Sequence, residues 1–188
     1  MKVYIVHGWD GNPQEPMFQW LKTSLESRDY DVVVLAMPHP EAPMIEAWVE
    51  KLTKAISPGP ETILIGHSIG CQAILRYLEA TGNRVKAVVL IAPWTKLDKK
   101  VLKKEGKEMA AVAKPWMETP IDFTKVKTLA GKVVAIFSDN DPYVPLAEKD
   151  FFEQELDAKT LVEKKKGHFR EGDGIIMLPS ALNAVLEL

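Results

Sequence analysis

Five short runs rich in valine and isoleucine recur along the chain: Val3–Val6, Val32–Ala36, Thr62–Ile65, Ala87–Ile91 and Val133–Phe137. A weaker sixth lies at Lys159–Val162. Most are apolar at nearly every position rather than every second one, the mark of strands covered on both faces, as in a parallel sheet. Helical spacing fills the intervals. Phe18, Leu21 and Leu25 form one stripe, Ile45, Trp48, Val49, Leu52 and Ile56 a second, and Ile69, Ala73, Ile74 and Tyr77 a third. Phe151, Phe152 and Leu156 follow the fifth run, and Ile175, Leu178, Leu182, Val185 and Leu186 close the chain. Strand alternating with helix implies right-handed crossovers and a doubly wound α/β sheet. No repeat, low-complexity tract or linker divides it, so residues 1–188 read as a single domain.

One interval is too long for a simple crossover. Pro93 to Lys132 holds a lysine-rich helical patch (Lys96–Glu108) and then Lys114-Pro115-Trp116-Met117. Excursions of this kind serve as lids or binding loops, and this one is expected to lie over an active site. Its lysines at 96, 99, 100, 103, 104 and 107 suggest an anionic ligand, but Asp98, Glu105 and Glu108 partly neutralise them. A solvated helix face is the favoured reading.

The third run leads into Gly66-His67-Ser68-Ile69-Gly70 and then a helical stripe. This is G-x-S-x-G between strand and helix, the setting in which that pattern makes a nucleophile elbow. A serine on so sharp a turn has strained backbone angles, and glycines on either side let neighbouring backbone come close. Ser68 then stands at a helix N-terminus, whose free N–H groups favour a developing anion.

A serine hydroxyl needs a base, and in this architecture the order is serine, acid, histidine. Of the four histidines, only His168 follows Ser68, in Lys166-Gly167-His168-Phe169 just past the last strand. Of the six aspartates between them, only Asp139 and Asp141 directly follow a strand, and either fits a turn-forming residue beside Asn140 and Pro142. The loop after the first run, His7-Gly8-Trp9-Asp10-Gly11, is placed to complete an oxyanion hole, with the backbone N–H groups of Trp9 and Ile69 as donors. His7 reads as a brace for that loop, His67 as a ring turned away from Ser68, and His39 as loop structure. Trp9, Trp94 and Trp116 fall on loops at the same end of the sheet and are candidates to bind substrate as the walls of an acyl pocket.

The net charge of −2 calls for neither nucleic acid nor an anionic membrane as partner. No stretch approaches the roughly 20 apolar residues of a membrane span, and the first apolar run is too short for a secretion signal. Cys71 is the only cysteine, a small core residue that fits a reducing, cytoplasmic setting. No His, Cys, Asp or Glu set has convincing metal spacing.

The motifs together resemble the small α/β-hydrolases grouped with YdeN and the retinoblastoma-binding serine hydrolase. The residues that carry the resemblance are Val6-His7-Gly8-Trp9, Gly66-His67-Ser68-Ile69-Gly70-Cys71, Asp141-Pro142 with Pro145, Gly167-His168-Phe169, and Pro115-Trp116 ahead of Asp122-Phe123. The resemblance implies a reduced α/β-hydrolase fold: a six-stranded, mostly parallel sheet with helices on both faces and little or no cap domain. It also implies Ser68, Asp141 and His168 as the triad, choosing Asp141 because that aspartate precedes Pro142. The L-x-C-x-E segment tied to retinoblastoma binding is absent, since Gln72-Ala73 follow Cys71, and no protein partner is carried over. The expectation is a carboxylesterase-like serine hydrolase that cleaves a small acyl ester, thioester or amide through an acyl-enzyme, with no cofactor. Acyl transfer by the same residues, or a non-catalytic interaction module that keeps the fold, are the alternatives.

Overall fold

A computed structural model describes residues 1–188. Strands β1 (Lys2–Val6), β2 (Asp31–Leu35), β3 (Gly59–His67), β4 (Val85–Ile91), β5 (Lys132–Ser138) and β6 (Lys159–Glu163) form one sheet in the order β2-β1-β3-β4-β5-β6. Every pairing is parallel, where the sequence led us to expect a mostly parallel sheet. Burial follows position. The central strands β1, β3, β4 and β5 are buried along most of their length, whereas the edge strands β2 and β6 are partly exposed. That explains why the sixth apolar run is the weakest.

Helices α1 (Pro16–Glu26), α2 (Ile45–Ala55), α3 (Ile69–Thr81), α4 (Lys99–Glu105), α5 (Lys107–Glu118), α6 (Phe123–Leu129), α7 (Glu148–Leu156) and α8 (Pro179–Leu186) complete the fold. α1 packs with α8 on one face, and α2, α3, α6 and α7 follow one another across the other. None is long and apolar enough to cross a membrane. The chain leaves β1 toward β2 and then returns to β3 on the other side of β1. Between the C-terminal ends of β1 and β3 lies the switch point where such sheets open a crevice.

The long excursion contains α4, α5 and α6. The expected lysine-rich helical patch is split at Gly106, whose φ of 100° suits glycine, and α4 buries no residue. α5 and the turn after it are anchored to the core by one side chain. Arg76, on the buried α3, donates to the backbone oxygens of Trp116 (3.1 Å) and Thr119 (2.7 Å) and to Gln72 Oε1 (3.0 Å). Trp116 in turn donates from Nε1 to Pro43 O (2.9 Å) and meets Trp48 edge-on. Truncating Arg76 leaves the buried Trp116 carbonyl and the buried Gln72 side chain without this donor, an unsatisfied buried group costing about 1–3 kcal/mol. Arg76→Ala is therefore expected to lower the urea-unfolding free energy by at least about 2 kcal/mol; a change near zero would show that the excursion does not depend on this anchor.

Candidate active site

β3 ends at His67, and α3 begins at Ile69 with Ser68 between them at φ 54°, ψ −122°. No ordinary L-residue favours that conformation, and the surroundings enforce it. The Ser68 N–H donates to Ile91 O (2.8 Å), and the Cys71 N–H to Ser68 O (2.9 Å). A Cβ on Gly70 would lie 2.5 Å from His7 O, and one on Gly66 would lie 2.8 Å from Cys71 N. Both flanking glycines are therefore required by backbone on the far side of the contact.

His168 Nε2 lies 2.8 Å from Ser68 Oγ, and His168 Nδ1 lies 2.7 Å from Asp141 Oδ2. With the Nδ1 proton donated to the carboxylate, Nε2 is free to accept the serine proton. Asp141, rather than Asp139, reaches the ring, and its Oδ1 accepts the N–H groups of Tyr143 (2.8 Å) and Val144 (3.1 Å). Asp139 Oδ1 accepts the Lys165 N–H (2.7 Å) instead. Its neighbours do likewise: Ser138 Oγ takes the Lys166 N–H (3.0 Å) and Asn140 Oδ1 the Gly167 N–H (2.9 Å). Residues 138–141 thus clasp residues 165–168. On the other side of the histidine, Asp173 Oδ2 accepts the His168 N–H (2.9 Å), and Gly167 suits its place twice over, with φ 54° and with that carboxyl 2.5 Å from where a Cβ would lie.

The two expected oxyanion donors lie in the loop after β1 and at the start of α3. The Ile69 N–H, first in α3, has no helical acceptor, and the Trp9 N–H makes no hydrogen bond within the chain. The Trp9 loop is tied down by Trp9 Nε1 to Glu41 O (3.0 Å) and Asp10 N to Pro40 O (2.8 Å). His7 braces it, with Nδ1 on Gly8 O (2.8 Å) and Nε2 accepting the Met37 N–H (3.1 Å); burial holds its pKa below the usual value.

A cavity of about 640 Å³ opens over Ser68 and His168 and is lined by Trp9 and Trp94, among others. Trp116 lies outside that lining: its ring is fully buried against Trp48 beneath Arg76, so it packs the core and does not wall the cavity. The sequence also missed two contacts. Trp94 does more than form a wall, since its Nε1–H reaches Ser68 Oγ at 3.3 Å. His67 does more than turn away, since its Nε2 donates to His168 O (2.8 Å), with the two rings 5.1 Å apart. Nothing in local periodicity signals either contact, because each joins segments distant in the chain.

Burial, and then the neighbouring His168, push the His67 pKa down to about 3. Unfolded, the ring takes up a proton near pH 6.5; folded, it stays neutral. The unfolded state thus binds more protons in this window, and the stability present above about pH 6.5 is lost as the pH falls toward 3. Between about pH 6 and 4, His67→Gln is expected to flatten the slope of unfolding free energy against pH by about 1.4 kcal/mol per unit. Parallel slopes in chemical denaturation of both proteins would rule out a neutral buried ring.

The serine hydrolase family model matches residues 3–187. YdeN of Bacillus subtilis strain 168 is 29% identical over 181 residues, covering 95% of this chain and 90% of YdeN. Serine hydrolase RBBP9 of Rattus norvegicus is 26% identical over 166 residues, covering 87% of this chain and 79% of RBBP9. The crystal structure of the B. subtilis ydeN product superposes with a TM-score of 0.88 at 27% identity, covering 99% of this chain and 97% of that one. A carboxylesterase structure from Nitrososphaera gargenis, at 15% identity and TM-score 0.73, covers 99% of this chain and 88% of its own and shares the fold.

Proposed function

The chain belongs to the serine hydrolase family, and from that premise we propose that it hydrolyses small acyl esters, thioesters or amides through an acyl-enzyme on Ser68. The observation that carries this reading is the continuous path from Asp141 Oδ2 through the His168 ring to Ser68 Oγ, with links of 2.7 and 2.8 Å. Ser68 attacks the carbonyl carbon while His168 Nε2 takes its proton, and Asp141 holds the ring and stabilises the imidazolium. The tetrahedral oxygen settles against the N–H groups of Trp9 and Ile69. His168 then protonates the leaving group, and a water repeats the sequence on the acyl-enzyme. The Trp94 N–H, already on the hydroxyl, favours the alkoxide character that develops during attack.

The cavity limits what is cleaved. Trp94, Leu97, Met109 and Val112 give it an apolar portion, and the volume of about 640 Å³ must hold leaving group and acyl chain together. Each buried methylene is worth about 0.8 kcal/mol until the space is filled. In a nitrophenyl ester series, kcat/KM is expected to climb from acetate through medium chains and then fall. A steady climb through long chains would mean that the cavity does not bound the acyl group.

The same assay tests the residues. Ser68→Ala should reduce turnover to background. Asp141→Asn should lower kcat by about four orders of magnitude, the scale of an orienting carboxylate in a triad. Asp139→Asn should cost less than about tenfold, because the amide oxygen still accepts the Lys165 N–H. Equal losses at Asp139 and Asp141, or turnover that survives in Ser68→Ala, would refute the assignment.

A further inference from the structure

The chain as a whole is nearly neutral, but the cavity over Ser68 is not. Asp10, Glu15, Glu41, Glu105, Glu108 and Glu171 all line it, against a single cationic side chain, Arg170. These carboxylates come from four separate parts of the chain: the loop after β1, the loop after β2, the α4–α5 region and the turn beyond His168. The lysine-rich excursion sharpens the contrast. It turns Glu105 and Glu108 toward the cavity, while none of its lysines lines it.

Elsewhere on the surface, some carboxylates pair with lysines, as in Lys22–Glu26, Lys2–Asp31, Lys127–Asp157 and Lys159–Glu187, and others stand without one. None of the six around the cavity pairs with a lysine or arginine; Glu41 has only His39 beside it, at 3.6 Å. Arg170 is already engaged, with Nε 3.6 Å from Asp173 and its guanidinium stacked over Tyr143. Burial is the main cause that pushes the Glu15 pKa up; the Asn12 N–H on its Oε1 and the Arg170 charge oppose the shift, and the Glu171 charge adds to it. The carboxylates nevertheless surround the opening without converging, and no group of three or more His, Cys, Asp or Glu side chains is arranged to hold a metal ion.

One further acceptor in the cavity lining has no partner. His67 Nε2 carries the proton given to His168 O, so Nδ1 is an unprotonated acceptor, and it makes no hydrogen bond although the residue is only 3% exposed. It faces Gly8, where a Cβ would lie 2.9 Å away, and both residues line the cavity. Carboxylates without a lysine or arginine partner, and behind Gly8 a buried imidazole acceptor, favour the same kind of group: a cation that carries N–H donors.

Resting on the hydrolase reading above, we infer that this site selects substrates bearing a primary or secondary ammonium group over neutral or anionic acyl compounds of the same size. A cleft lined by one sign of charge raises the local concentration of the opposite ion, and the effect fades as salt shortens the Debye length from about 30 Å at 0.01 M to about 8 Å at 0.15 M.

The test uses three nitrophenyl esters of similar length: 3-aminopropanoate, butanoate and 3-sulfopropanoate. Each kcat/KM is divided by the ester's rate constant with hydroxide, which removes intrinsic reactivity. At low ionic strength the corrected ratio of aminopropanoate to butanoate should be roughly tenfold, the lower end of electrostatic focusing, and the sulfonate should be the poorest of the three. Added salt should compress both differences. The exposed double variant Glu108→Gln/Glu171→Gln should reduce the cation-to-neutral ratio severalfold. A corrected ratio at or below one, or one that neither salt nor the double variant moves, would overturn the inference and leave the hydrolase reading intact. Failure to cleave any of the three would overturn both.

Discussion

The positive φ at Ser68 is the constraint on which the rest of the site depends. A non-glycine residue held there costs on the order of 1–3 kcal/mol and persists only where its surroundings overdetermine it. Here three elements do so. β4 accepts the Ser68 N–H at Ile91, α3 starts immediately and takes up the next turn, and the end of β1 presses against Gly70. The apolar strands that bury the centre of the sheet therefore also supply the rigidity that holds one hydroxyl above it. Because the strand order reverses at β1, β1 lies next to β3 and the loop that carries Trp9 leaves the sheet beside Ser68.

The histidine and the aspartate are held by the docking of two loops. Residues 138–141 and 165–168 meet in four consecutive hydrogen bonds, of which the Asp141–His168 bond is the last. Buried Phe169 anchors one side of the His168 loop, and the His67 side chain, next to Ser68, holds the His168 carbonyl. The turn at Ser68 and the His168 loop are thus linked twice, through the His168 side chain and through its backbone. Glu148 plays a comparable part for Trp94, accepting the N–H and hydroxyl of the adjacent Thr95.

Much of this was legible in the sequence. Near-continuous Val/Ile runs set the parallel sheet and the Gly66–Gly70 pattern marked Ser68, because both signals are local, while His168 followed as the one histidine after Ser68. The choice between Asp139 and Asp141 was not local. They lie one and three residues beyond β5, on the same turn, and only the register of the opposing loop decides which carboxylate meets the ring. Trp116 was harder still. Its sequence position suits a loop at the mouth, but Arg76, 40 residues earlier on α3, draws it into the core. The acidic lining was hidden for the same reason: its carboxylates come from distant segments, and the abundant lysines of residues 96–107 point elsewhere.

A strained backbone holds Ser68, the His168 ring and the Trp94 N–H reach its Oγ, and in the proposed reaction that oxygen is the nucleophile. Intact-mass and peptide-mapping mass spectrometry after treatment with a fluorophosphonate tests it directly. One adduct per chain is expected, on the peptide containing Ser68, and it should be lost when the protein is unfolded before treatment. An adduct on a different residue, or a folded protein that takes up none, would contradict it.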